Sequence, residues 1–172
     1  MVGKGEEESR LRRIAGPTVE IVGWRPDEEV ARLLSRCRAF LLPGAEDFGI
    51  TPLEAAASGR PVVALARGGA TETVVDARTC GRGEIPTGVL FPEPTVDSLV
   101  EALREVERRT EDFDATALRD HAARFSRSRF RREFERAILE FTDASRAGSD
   151  GSRGRLRESR GCRSRGFDVL HR

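Results

Sequence analysis

Two glutamates, Glu46 and Glu54, flank a short segment that is suited to binding an anion together with hydroxyl groups. Seven residues separate them in the sequence EDFGITPLE, and Gly49 lies between them. A helix that begins just after Gly49 would present free backbone N–H groups and the positive end of its dipole, which favour a phosphate or a diphosphate. Gly49 has no side chain, so it lets a ligand approach the backbone closely.

The two carboxylates suit a different part of such a ligand. An ionised carboxylate only accepts hydrogen bonds, so each glutamate fits a pair of neighbouring hydroxyl groups rather than the phosphates. Hydroxyl groups on both sides of a diphosphate are the layout of a sugar nucleotide, which carries a hexose at one end and a ribose at the other. The segment therefore favours a sugar nucleotide as its ligand.

Short apolar segments alternate with helical patterns, and these elements must position the two glutamates. Strands are predicted at residues 18–23, 39–42, 61–65 and 88–91, with helices between them. Continuously apolar strands that alternate with helices are typical of a parallel sheet with helices on both faces, so the predicted fold class is α/β, with a Rossmann-like sheet. Strand 39–42 leads directly towards EDFGITPLE, which places the glutamates at the carboxyl edge of the sheet, where such folds bind ligands.

The C-terminal part of the chain follows other patterns. Apolar stripes at helical spacing, such as Leu118, Ala122 and Phe125, predict a run of helices from residue 95. Residues 144–172 hold eight Arg and three acidic residues among many Gly and Ser, and we predict a disordered tail there. We expect an incomplete sugar-nucleotide-binding, Rossmann-like domain at residues 1–143, followed by this tail.

The sequence around the two glutamates resembles the family 4 glycosyltransferases, enzymes of the GT-B fold with two facing Rossmann-like domains. The two residues match the E-x7-E signature of that family, and the motifs EDFG, SGRPVVA, GGATE and TGVLF follow in the family's order. The resemblance covers residues 2–141. It identifies them as the C-terminal, donor-binding domain of a retaining enzyme, truncated on its N-terminal side.

The resemblance also implies a role for each site residue. Glu46, the candidate catalytic residue, would contact hydroxyls of the donor sugar, and Glu54 would accept hydrogen bonds from the ribose hydroxyls. The backbone amides that would meet the sugar and the diphosphate are those around Phe48, Gly49 and Ile50. Gly3 and Gly5 correspond to a glycine turn that lies near the nucleotide in this family.

The implied partners are a sugar nucleotide and a second domain. The donor would be a UDP-, GDP- or ADP-linked sugar, with no cofactor and no metal, because basic side chains and helix N-termini hold the diphosphate in this family. In the family, the Arg and Lys that hold the diphosphate lie in a segment before the glycine turn, which VGKG resembles. The acceptor-binding N-terminal domain is missing here, so we expect the isolated chain to be inactive.

Composition excludes several other classes of protein. The net charge of +1 gives no indication of a nucleic-acid partner. Cys37, Cys80 and Cys162 are widely spaced, which matches no metal site, and their odd number argues against a disulfide framework. No apolar run approaches the roughly 20 residues of a membrane span, and the N-terminus has no signal region. We expect a cytoplasmic protein, which as part of a full enzyme could work near a membrane.

Three alternatives remain open at this point. Thr51 and Glu54 form a T-x-x-E pattern with Pro52 between them, which is typical of a capping box at a helix start. The chain could also be a non-enzymatic nucleotide- or RNA-binding module, with the Arg-rich tail as its interaction segment. Finally, it could be a fragment of a sugar-nucleotide epimerase of the GT-B layout.

Overall fold

The computed structural model describes the backbone of residues 1–150 and the side chains of residues 1–142. The chain divides into two compact units, Met1–Arg129 and Phe130–Arg172. In chain order the elements are α1 Glu8–Ile14, α2 Asp27–Arg36, β1 Phe40–Leu42, α3 Ile50–Ala57, β2 Val62–Leu65, α4 Ala70–Thr73, β3 Gly88–Phe91, α5 Val96–Arg108, a 3-10 helix Thr110–Asp112, α6 Ala115–Ala123 and α7 Arg127–Asp150.

The sheet of the first unit is parallel, in the order β1-β2-β3. Phe40 of β1 pairs with Val62 of β2, and Val62 pairs in turn with Gly88 of β3. All four side chains of β2 are buried, because this strand has a neighbour on each edge and a packed layer on each face. This pattern is typical of parallel sheets in α/β proteins, and it confirms the predicted fold class.

The core has two layers, one on each face of the sheet. Since side chains alternate along a strand, neighbouring residues of β2 enter different layers. One layer joins the sheet to α2 and α3, through Leu34, Leu42, Ala55, Val62 and Ala64. The other joins it to α5, through Val63, Leu65, Val89, Phe91, Ala102 and Val106. Helices therefore cover both faces, as predicted.

The strand predicted at residues 18–23 is wrong. This stretch forms turns and irregular backbone, with a single parallel bridge between Val2 and Gly23. The Gly3 N–H donates to the Gly23 carbonyl at 2.9 Å, and the Val22 N–H donates to the Met1 carbonyl at 3.0 Å. A single bridge does not form a ladder, so these residues are not a strand in the structure. Val2, which forms the bridge, is 47% exposed.

The C-terminal helix α7 belongs mainly to the second unit. Phe130, Phe134 and Ile138 lie on it at helical spacing and are exposed, and the two phenylalanine rings stack with centroids 5.6 Å apart. The helix continues to Asp150, so its last seven residues occupy the beginning of the tail predicted at 144–172. The remainder of that tail lies outside the described residues, and the domain boundary at residue 143 stays a prediction.

None of the helices within residues 1–150 is both long enough and apolar enough to span a bilayer.

Candidate functional site

Glycine 49 shapes the start of the helix between the two glutamates. The chain leaves β1 at Leu42 and enters α3 at Ile50, so the intervening loop lies at the carboxyl edge of the sheet, as predicted. Gly49 is the N-cap residue of α3, with φ 79° and ψ 71°, a left-handed conformation that residues with a Cβ rarely adopt. A Cβ at this position would also lie 3.3 Å from Cγ of Pro52.

The capping-box alternative for Glu54 is wrong. The helix begins two residues earlier than a Thr51 cap requires, because the left-handed Gly49 already turns the chain into it. Thr51 is therefore inside the helix, and no side chain caps its start. Pro52 is the third helical residue, where its missing N–H costs nothing, since the first-turn N–H groups have no partner within a helix. Glu54 is thus free of a capping role.

Both carboxylates are accessible to a ligand. Glu46 and Glu54 are exposed, whereas Gly49 between them is buried. Among the side chains of residues 1–142, none forms a hydrogen bond or an ion pair with either carboxylate. Oε2 of Glu46 lies 3.9 Å from the position of a Cβ built on Gly49, so this carboxylate lies beside the helix start. Phe48 is 48% exposed and Ile50 is 66% exposed on the same segment.

Two further glycines support this segment from the next loop, which connects β2 to α4. Gly68 forms a parallel bridge with Glu46, and the Gly69 N–H donates to the Glu46 carbonyl at 2.8 Å. A Cβ on Gly68 would overlap the Glu46 carbonyl, and one on Gly69 would overlap the backbone of Phe48. The GG pair of the GGATE motif is therefore required by direct contact between two stretches of backbone.

Phe125 is a residue of this region that sequence analysis did not assign to the site. Its ring meets the ring of Phe48 edge to face, with centroids 6.3 Å apart and planes at 65°. The apolar stripe that includes Phe125 predicted a helical face, but it gave no signal for this partner.

Gly3 and Gly5, the other two glycines predicted at the site, line a cavity of about 220 Å³ together with Leu11 and Ile21. No residue of the segment 46–54 lines this cavity. Gly3 has φ 120°, so its glycine is needed for the local backbone. The role of these two glycines near a nucleotide stays a prediction.

Metal and thiol chemistry have little support in the part of the chain that is described. No cluster of three or more His, Cys, Asp or Glu side chains within it could hold a metal ion. Cys37 and Cys80 are unpaired, and Cys162 lies outside the described residues. Burial raises the pKa of the Cys37 thiol, whose Sγ–H donates to the Leu34 carbonyl.

Comparisons with known proteins identify the family of this chain. The model of the family described as glycosyl transferases group 1 matches residues 1–125. A GDP-mannose-dependent monoacylated alpha-(1-6)-phosphatidylinositol monomannoside mannosyltransferase from Corynebacterium glutamicum is 34% identical over 117 residues, which are 62% of this chain and 28% of that enzyme.

Solved structures show the same fold. Sucrose-phosphate synthase from Thermosynechococcus elongatus is 25% identical and superposes with a TM-score of 0.64 over 80% of this chain and 34% of that chain. HepE from Anabaena, in complex with UDP-glucose, is 25% identical with a TM-score of 0.52 over 71% of this chain and 34% of that chain. The present chain thus spans about a third or less of each relative. This likeness confirms a Rossmann-like domain of the GT-B glycosyltransferases, and the chain belongs to the glycosyl transferases group 1 family.

Proposed function

We propose that this chain supplies the donor-binding domain of a hexosyltransferase and that residues 46–54 bind a nucleotide diphosphate sugar. The observation that carries this proposal is the pair of exposed carboxylates, Glu46 and Glu54, on either side of a helix start whose N-cap, Gly49, is left-handed. Two charged acceptors without partners among the side chains of residues 1–142, next to free backbone donors, form an incomplete hydrogen-bonding system. A ligand with hydroxyls and a diphosphate completes it.

Each part of the ligand has its own position in this proposal. The first-turn N–H groups of Ile50 and Thr51 and the positive end of the α3 dipole bind the diphosphate. Glu46, in the loop beside the helix start, accepts hydrogen bonds from the donor sugar. Glu54, one turn into the helix, accepts them from the ribose.

The relatives suggest which donors to examine first. One matched enzyme is named for its dependence on GDP-mannose, and one matched structure contains UDP-glucose. The GT-B layout also includes a second Rossmann-like domain, and the described part of this chain contains one parallel sheet. We therefore propose that acceptor binding belongs to a partner domain and that this chain alone binds the donor without transferring the sugar. No metal and no cofactor is part of this proposal.

Calorimetric titration of the whole chain with UDP-glucose and with GDP-mannose tests the proposal. We expect saturable binding of at least one donor and a loss of about tenfold in affinity for Glu54→Gln and for Glu46→Gln, since each removes charge-assisted hydrogen bonds without changing side-chain size. Glu101→Gln is the matched control, because Glu101 is exposed on α5, away from the segment.

Two results would contradict the proposal. One is the absence of binding by the folded wild-type chain with either donor. The other is an equal loss of affinity for Glu54→Gln and for the Glu101→Gln control. The RNA-binding alternative rests on the Arg-rich residues 144–172, and no observation on the described part of the chain favours it.

A further inference from the structure

Phe48 is held by an aromatic contact from outside its own loop. Its ring, in the loop before α3, meets the ring of Phe125 edge to face, with centroids 6.3 Å apart. Aromatic pairs prefer this arrangement and stabilise each other beyond the area that they bury. Because Phe48 is directly followed by Gly49, a contact that fixes its side chain also restrains the backbone at the helix start.

The position of Phe125 is itself well determined. Phe125 follows the last turn of α6, where its N–H donates to the Ala122 carbonyl at 3.0 Å, and its side chain is half-buried. The ring of His121, one turn earlier, lies 5.5 Å from the Phe125 ring. The main chain of α6 and a neighbouring ring therefore hold Phe125 from two directions.

His121 joins this cluster to the glycine loop. Its Nε2 lies 2.8 Å from the carbonyl oxygen of Thr73, the last residue of α4. A carbonyl can only accept, so Nε2 carries the proton and donates. At the other end of α4, the N–H of Gly69 donates to the carbonyl of Glu46.

These contacts form a continuous series that begins and ends at the loop before α3. The Glu46 carbonyl of this loop accepts from Gly69, just before α4, and the Thr73 carbonyl at the end of α4 accepts from His121. The His121 ring contacts Phe125, whose ring contacts Phe48 of the same loop. One end fixes the main chain of the loop and the other fixes a side chain of it. The loop is thus restrained on both sides of Asp47.

We propose that Phe125 is a positioning residue for the segment that binds the sugar nucleotide. It makes no contact with the ligand; it acts through Phe48 on the backbone donors at Gly49 and Ile50. This inference rests on the proposed function of the segment. A binding site that relies on backbone N–H groups loses affinity when those groups move by a fraction of an ångström, so removing the Phe125 ring weakens binding without removing any ligand contact.

Phe125→Ala and Phe113→Ala form a matched pair for the test. Phe113 is also a half-buried phenylalanine that follows a short helix, and it packs against the core layer on the α5 side. We expect Phe125→Ala to weaken binding of UDP-glucose or GDP-mannose by roughly three- to tenfold, in line with the loss of one aromatic contact. Phe113→Ala should leave the affinity within about twofold at a temperature where both variants are folded. Phe125→Tyr should restore most of the lost affinity.

A second readout works without any ligand. In ¹⁵N-labelled protein, Phe125→Ala should shift the backbone amide resonances of Gly49 and Ile50, whereas Phe113→Ala should leave them in place. If Phe125→Ala does not fold, Phe125→Leu keeps the apolar volume and removes the ring. Equal effects of the two alanine variants on affinity, or unchanged Gly49 and Ile50 amides in Phe125→Ala, would overturn the inference. If the wild-type chain binds no donor while these amides shift as expected, the proposed function fails and the positioning contact stands.

Discussion

At the scale of single residues, the site depends on two exposed carboxylates and on glycines, which have no side chain. Glu46 and Glu54 have no hydrogen-bonding or ionic partner among the side chains of residues 1–142, so both carboxylates are available to a ligand. The helix start between them exists because Gly49 adopts a left-handed conformation. Gly68 and Gly69 lie against the same loop, backbone to backbone.

Gly69→Ala is therefore expected to damage both stability and binding. The new methyl group would overlap the backbone of Phe48, so the loop has to move, at a cost of about 1–3 kcal/mol in the free energy of unfolding. Donor affinity should fall with it, because the same loop leads into the binding segment. Denaturant unfolding and calorimetry measure the two effects.

Gly44→Ala is the control for this prediction. Gly44 lies in the same loop, and a Cβ built on it meets no atom within 4 Å. The free energy of unfolding of this variant should lie within about 0.5 kcal/mol of that of the wild type. Equal stability of the Gly69→Ala and Gly44→Ala variants would contradict the assigned contact.

At the scale of elements, the sequence predicts best where local pattern and burial agree. The continuous apolar strands β1, β2 and β3 and the helix after EDFG are at the predicted places, because buried parallel strands and helix ends carry strong local signals. Residues 18–23 have the composition of a strand, but a strand also needs a partner of sufficient length, which local sequence does not encode. The contact between Phe48 and Phe125 was missed for the same reason, since it joins residues far apart in sequence.

The packing of α6 gives a prediction at this scale. Leu118 of α6 is fully buried, so Leu118→Ala should lower the free energy of unfolding by about 2–5 kcal/mol through lost burial and the cavity left behind. Leu139→Ala is the matched control, because Leu139 is 63% exposed on α7 and its truncation should cost no more than about 0.5 kcal/mol. Thermal or denaturant unfolding of both variants measures the difference. A similar loss for the two leucines would show that α6 does not pack as described.

At the scale of the whole molecule, family and fold are established and the activity is proposed. The family model matches 125 residues from the first, and the relatives described above are each more than twice as long as this chain. The E-x7-E pattern and its neighbouring motifs made the donor-binding assignment possible from sequence. The choice of base, sugar and acceptor could not be predicted, because it depends on contacts outside the segment 46–54.

An amide-resolved NMR titration tests whether the segment 46–54 binds a sugar nucleotide. With UDP-glucose or GDP-mannose added to the ¹⁵N-labelled chain, we expect the largest saturable shifts at the backbone amides of Phe48, Gly49, Ile50 and Thr51. Glu54→Gln should reduce these shifts at equal donor concentration. Saturable shifts confined to other parts of the chain, or no shifts with either donor, would contradict binding at this segment.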